Sequence, residues 1–336
     1  MRRLPSMMAL IASGLLAAGC GGDGDDGGDA LKNVPDGGGL RERVRAAEAP
    51  ARADFPSVEG RSLQAVADSM TGGPEAGLAT QQFTVGRNRL AFGVIDASGK
   101  FVYGKTAVYV ASSPDARAKG PYPAPADLLV TDPPFRSRQA AAESDIFAAV
   151  YAADVPFAKP GDWSVLTVTQ SGGGLVAAPA RVEVETPARD AIPAVGERAP
   201  KVETDTLASA KGDEESIDTR IPTAPELHEK SFADVAGSKP VALLFATPQL
   251  CQSRVCGPVT DIALQMRSRY GDRMEFIHQE VYVGNDPNKG LRAPLKQFNL
   301  RSEPWLFVVG RDGRVTSRLE GSFGLKAFEQ AINSAL

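Results

Sequence analysis

The stretch Phe245-Ala-Thr-Pro-Gln-Leu-Cys251-Gln-Ser-Arg-Val-Cys256-Gly-Pro258 decides how the rest of the chain is read. The apolar run before it, Val241-Ala-Leu-Leu-Phe245, has the length and composition of a buried strand and ends at a Thr-Pro break. Two cysteines follow, and then Thr260 to Tyr270 carries Ile262, Leu264, Met266 and Tyr270 among polar residues, as a helix does. A strand that delivers paired cysteines to the start of a helix suits thiol–disulfide chemistry, because the positive helix end favours a thiolate.

Downstream, Met274 to Tyr282 reads as a strand, Val283 to Gly290 as a turn-rich loop, and Leu291 to Leu300 as a short helix containing Pro294. Glu303-Pro304-Trp-Leu-Phe-Val-Val309 is a strand entered through a proline. Gly310-Arg-Asp-Gly313 is a hairpin turn, and Arg314 to Leu319 pairs back. Leu325, Phe328 and Ile332 recur at helical spacing in a final helix. This order, with Lys296-Gln-Phe-Asn-Leu-Arg-Ser-Glu-Pro304-Trp-Leu-Phe at its centre, resembles the thioredoxin superfamily over roughly the last third of the chain. The resemblance implies a cis-proline at Pro304, facing the cysteines and shaping a docking groove.

The spacing departs from the family's Cys-x-x-Cys. On one helix, residues five apart point about 140° away from each other, so Cys251 and Cys256 can bond only if Cys251 lies in the loop. Ser253 as helix cap would put Cys256 in the first turn, whereas a start at Gly257-Pro258 would leave it just outside. Either way the helix end and Arg254 are expected to lower a thiol pKa. Glu303, at the position where the family places its substrate-facing residue, opposes this, since a carboxylate disfavours a thiolate.

Upstream, 336 residues suggest roughly two domains, and a net charge of −4 without a dense basic patch excludes a general nucleic-acid binder. Residues 81–186 carry short strand-like runs, among them Phe83 to Ile95, Phe101 to Val110 and Trp163 to Val168. Turn clusters such as Lys159-Pro-Gly-Asp162 and Ser171-Gly-Gly-Gly174 separate them, which predicts an antiparallel β-sandwich. Pro160-Gly-Asp-Trp163 resembles the turn and inward Trp of immunoglobulin-like (Ig-like) bacterial domains. The expected architecture is therefore multidomain: an Ig-like sandwich followed by an α/β thioredoxin-like domain at 231–336. Residues 187–230 are either a linker or the start of the second domain. Ala194-Val-Gly-Glu-Arg-Ala-Pro200 resembles the lead-in of redoxin-type thioredoxin folds, which would set that start near Val195.

Met1-Arg-Arg3 and the apolar run Met7 to Ala18 read as a secretory signal, residues 1–19. Leu15-Leu-Ala-Ala-Gly-Cys20 resembles a bacterial lipobox, although Ala17 stands where Leu is commoner; the resemblance implies lipidation at Cys20 and attachment to the outer face of the cell membrane. Residues 20–80, beginning Gly21-Gly-Asp-Gly-Asp-Asp-Gly-Gly-Asp29, are expected to be a flexible tether rich in Gly, Asp and Ala. Of three cysteines, two then remain on the oxidising side, and an even pair there most simply forms one disulfide, Cys251–Cys256.

The leading expectation is a membrane-tethered thiol–disulfide oxidoreductase acting on envelope protein thiols and disulfides, with Cys251 attacking, Cys256 resolving and no cofactor or metal. The alternative is a non-catalytic binding lipoprotein stapled by the same disulfide, a bond that contributes only roughly 2 kcal/mol for so short a loop. Two further resemblances are partial. Sco-type copper chaperones have Cys-x-x-x-Cys and a distal His, for which His278 is the candidate, although the spacing here is one longer and a packed strand residue explains His278 better. Peroxiredoxins carry Pro-x-x-x-Thr/Ser-x-x-Cys, which Pro248, Ser253 and Cys256 match with one extra residue.

Overall fold

A computed structural model of the chain describes residues 30–142, 147–251 and 254–336. The proposed signal peptide, Cys20 and Ser253 lie outside the described residues.

Among the described residues the first body of the fold has nine strands: β1 (Glu75–Leu78), β2 (Phe83–Thr84), β3 (Gly86–Ile95), β4 (Thr106–Ala111), β5 (Lys119–Pro123), β6 (Ala126–Leu128), β7 (Ala149–Phe157), β8 (Gly161–Ser171) and β9 (Gly174–Glu185). They form a four-stranded sheet in the order β1-β3-β7-β6 and a five-stranded sheet in the order β2-β9-β8-β4-β5. Pairing is antiparallel except between β2 and β9. The tight turn at Ser171 to Gly174 closes the β8–β9 hairpin where the glycine run predicts it. Trp163 is buried, meets Phe157 edge-on at 5.3 Å and donates its indole N–H to the Lys159 carbonyl.

Period-2 alternation explains the layering. On β4 and β8, Val108, Val110, Trp163 and Val165 join the core between the two sheets, whereas Ala107, Tyr109, Ala111, Leu166 and Val168 face the other way. That outer face is also apolar and needs a cover. Phe55, Leu63 and Val66 supply it. Residues 30–80 are therefore not the flexible tether expected from composition. Helix α1 (Leu40–Ala47) buries Val44 and Ala47, and Leu31 and Val34 enter the main core. Helix α2 (Leu63–Ala67) is capped by the Ser62 side chain, which accepts the Ala65 N–H at 3.1 Å.

The second body contains β10 (Val241–Phe245), β11 (Glu275–Gln279), β12 (Trp305–Val309) and β13 (Val315–Glu320), in the order β11-β10-β12-β13. Strands β10 and β11 are parallel, while β12 is antiparallel to both β10 and β13. Along the chain the order is strand, cysteine loop, helix, strand, helix, proline-entered strand, strand and helix, as read from the sequence. The helices added to those above are α3 (Arg138–Ala142), α4 (Phe232–Val235), α5 (Cys256–Tyr270), α6 (Ala293–Gln297) and α7 (Leu325–Asn333). Alternation again sorts the faces. Ala242, Leu244, Leu306 and Val308 pack with Val259, Ile262, Phe328 and Ile332 of α5 and α7. Val241, Leu243, Phe245, Phe307 and Val309 pack with Phe232, Leu295 and Phe298.

The α5–α7 layer and the inter-sheet core of the sandwich are one continuous apolar cluster, so the two bodies share a core. Residues 187–231 hold only short turns of helix yet are fastened to the second body. Gly196 N–H bonds the Val315 carbonyl, and Val315 N–H bonds the Glu197 carbonyl, each at 2.8 Å; Ile192 and Val202 fill that body's core. No helix among the described residues is long and apolar enough to cross a membrane.

Candidate functional site

The register of β10 on β12 sets Phe245 opposite Trp305. Pro304 and the cysteine loop therefore leave the sheet at the same end, and the Glu303–Pro304 peptide is cis. After the strand the chain folds back on itself. The Thr247 carbonyl accepts N–H groups of Leu250 and Cys251 at 3.3 and 3.2 Å, and Arg254, at φ 60°, donates its N–H to the Cys251 carbonyl at 3.2 Å. This return brings Cys251 over the head of α5, where Val255 is the cap residue and Cys256 the first helical one. Cys251 is half-buried and Cys256 fully buried, and their side chains share a hydrogen bond. The helix starts between the two boundaries expected from sequence, with Cys251 off the helix as the five-residue spacing requires.

The electrostatics differ from the expectation for Cys256. Its thiol is pushed well up, by burial first and then by Cys251 and Glu303; the Thr247 main-chain N–H, which reaches the sulfur, offsets only part of this. A helix end is worth a fraction of a kcal/mol to about 2 kcal/mol, and full burial of a charge outweighs it. Glu303 is likewise raised, by burial and by Cys251, with Tyr282 opposing. The Tyr282 hydroxyl donates to Glu303 Oε1 at 3.4 Å and is itself pushed up to about 12 by burial and by Glu303. The site thus gathers two thiols, a carboxyl and a phenol, and the pKa values of the Cys256 thiol, the Glu303 carboxyl and the Tyr282 phenol are all shifted upwards. Beside it, the Thr247 hydroxyl is buried without a hydrogen-bond partner among the described residues.

His278 does not join the thiols. Among the described residues, the one group of three or more possible metal ligands with donor atoms within 4.8 Å of one another is Asp218, His228 and His278. The copper reading of Cys251, Cys256 and His278 therefore has no such cluster to rest on. Sequence reasoning missed this trio because its members come from an irregular loop and a strand; the available signal was that these are the only two histidines in the chain. Tyr282 and Thr247 were missed for the same reason: neither belongs to a spacing motif.

No protein-family model matches the chain, and no curated protein matches it. Solved structures overlap it in part. A putative thiol:disulfide interchange protein DsbE from Chlorobium tepidum is 18% identical, covering 43% of this chain and 98% of its own, with a TM-score of 0.29. A thioredoxin-like superfamily protein is 12% identical over 32% of this chain and 85% of its own, with a TM-score of 0.24. An endo-β-1,4-mannanase from Thermotoga petrophila is 12% identical over 34% of this chain and 20% of its own, with a TM-score of 0.20. Overlaps at these scores carry no weight for fold or function, and the fold rests on the sheet order and the site geometry.

Proposed function

We propose that the chain is a thiol–disulfide oxidoreductase of the bacterial envelope, anchored through a lipid on Cys20 and working through Cys251 and Cys256. The observation that carries this reading is the contact between a half-buried and a fully buried thiol at the head of a helix, at the sheet end that also bears the cis Glu303–Pro304 bond. In the reducing direction the Cys251 thiolate attacks a partner disulfide, forming a mixed disulfide and releasing one partner thiolate. Cys256 then attacks the Cys251 sulfur, closing the Cys251–Cys256 disulfide and releasing the second partner thiolate. The partner gains two electrons, and the pair loses two. In the oxidising direction the same steps run in reverse. Glu303, protonated more readily than an ordinary carboxyl, is placed beside Cys251 to exchange a proton with these sulfurs. Pro304 shapes the groove in which the partner docks. We read the sandwich as Ig-like and as a spacer that holds this site away from the membrane.

The competing reading is a non-catalytic envelope binding module in which the same two cysteines form a staple. Glu303 favours it, because a carboxyl next to Cys251 works against a thiolate. The reduction potential and an insulin-reduction assay separate the two. Turnover, with a mixed disulfide trapped on Cys251 in the Cys256→Ser variant, supports the oxidoreductase. A potential far below about −300 mV with no turnover removes it.

A further inference from the structure

Asp218, His228 and His278 are 1%, 1% and 0% exposed, and none of them touches the thiol site's hydrogen bonds. His278 lies on β11, the other two on the irregular segment 187–231. The outer nitrogens of both rings face main-chain carbonyls: His278 Nε2 lies 3.0 Å from the Ala246 oxygen, and His228 Nδ1 lies 3.5 Å from the Asp205 oxygen. A carbonyl only accepts, so each outer nitrogen carries the proton. The inner nitrogens, His278 Nδ1 and His228 Nε2, are then lone-pair donors facing each other at 3.2 Å. Asp218 adds a carboxylate whose oxygens lie 3.7 Å from His228 Nε2 and 3.8 Å from His278 Nδ1. Three groups able to give electron pairs converge in a sealed space, and a cation between them would satisfy all three at once.

We propose that this cluster is a structural site for a divalent transition metal of the zinc class, ligated by His228 Nε2, His278 Nδ1 and the Asp218 carboxylate. Bonds of about 2.0–2.1 Å in tetrahedral geometry set ligand atoms about 3.3–3.5 Å apart, and the observed separations of 3.2, 3.7 and 3.8 Å bracket that span. The outer shell is the kind that metal-ligating groups need. Both imidazoles are oriented by carbonyls, and the carboxylate oxygens accept the N–H groups of Arg220 and Ala224 at 2.8 and 2.7 Å. The carboxylate presents one oxygen towards each ring; binding through one of them makes three protein ligands, and a water entering with the ion takes the fourth tetrahedral position. The ion would pin an irregular segment to the sheet, and it uses neither cysteine.

The test is metal loading of the full, untagged chain with both Cys251 and Cys256 replaced by Ser, using Zn²⁺ for stoichiometry and Co²⁺ for spectroscopy. The chain contains two histidines, so any imidazole signal reports this cluster. The expected result is one bound equivalent with a tetrahedral cobalt spectrum, imidazole scattering in X-ray absorption, and a Tm that rises with Zn²⁺. His228→Gln should abolish all three. If that variant fails to fold, the spectrum of the chain lacking Cys251 and Cys256 decides alone. No bound metal, or metal held without imidazole, overturns the proposal. The first of these leaves a proton shared between the rings as the cation.

Discussion

Asp127 Oδ2, on strand β6 of the sandwich, accepts the main-chain N–H of Gly324 at 2.9 Å, across 197 residues of sequence, at the head of helix α7. The same carboxylate takes the N–H groups of Lys326 and Ala327 at 2.9 and 3.0 Å. Gly324 has no side chain with which to cap its own helix, and a residue from the other body does so instead.

Replacing Asp127 by Ala should therefore lower stability by about 1–3 kcal/mol, read as a reduced midpoint in urea, with Asp127→Asn costing less. Gly324→Ala attacks the same joint sterically, because a Cβ there would lie 2.4 Å from the Leu128 oxygen and 2.5 Å from Asp127 Cγ. Unfolding of either variant in two separated transitions would show that this contact couples the two bodies. An unchanged midpoint in both would show that it contributes nothing.

Arg220 and Asp261 form a second joint, buried at 3% and 1% exposure, with Nε 2.8 Å from Oδ1. The guanidinium also donates to the Pro222 and Phe135 carbonyls, while the other Asp261 oxygen accepts from Ser137. Removing Arg220 leaves a buried carboxyl without its cation, so Arg220→Met should cost about 3–5 kcal/mol. Pairing it with Asp261→Leu should recover part of that loss in a double-mutant cycle. A purely additive cycle would contradict the coupling.

Glu303 raises the Cys256 thiol and is itself raised by Cys251. Glu303→Gln removes that charge. Alkylation of the reduced protein at neutral pH should then quicken by about two- to tenfold, because a larger fraction of the thiol is ionised. Rates within error of the parent would mean that Glu303 does not face the sulfurs in solution.

The buried Cys256 thiol also makes stability depend on pH in one redox state only. Its pKa in the folded chain lies well above the ordinary value of 9.0. Above that value the unfolded chain releases the proton and the folded one keeps it, so the native state binds more protons and loses stability as pH rises. The stabilising effect is fully present below the ordinary value. Reduced protein should lose up to about 1.4 kcal/mol per pH unit beyond it, relative to the disulfide form. Parallel Tm curves for the two redox forms between neutral pH and about pH 10 would refute this.

Local pattern alone made much of the C-terminal body legible. The run Val241 to Phe245, the hairpin at Gly310 to Gly313 and the final stripe of Leu325, Phe328 and Ile332 declare themselves by period and turn chemistry, which depend on near neighbours. The placement of Cys251 off the helix followed from five residues at about 100° each. Residues 30–80 were misread because composition cannot show that the outer face of β4 and β8 lacks a cover; only the assembled sheet creates that demand. The direction of the Cys256 shift escaped for a related reason, since burial is a property of packing and not of spacing.

The opening cysteine stretch, with its strand before and proline strand after, was thus legible from sequence as a place where two cysteines meet the head of a helix. The tertiary structure decided which thiol is sealed and that Glu303 and Tyr282 face the pair. It also decided that Asp218, His228 and His278 converge elsewhere. Those relationships join distant segments, His228 and His278 lying 50 residues apart, and no local periodicity encodes a meeting at that range.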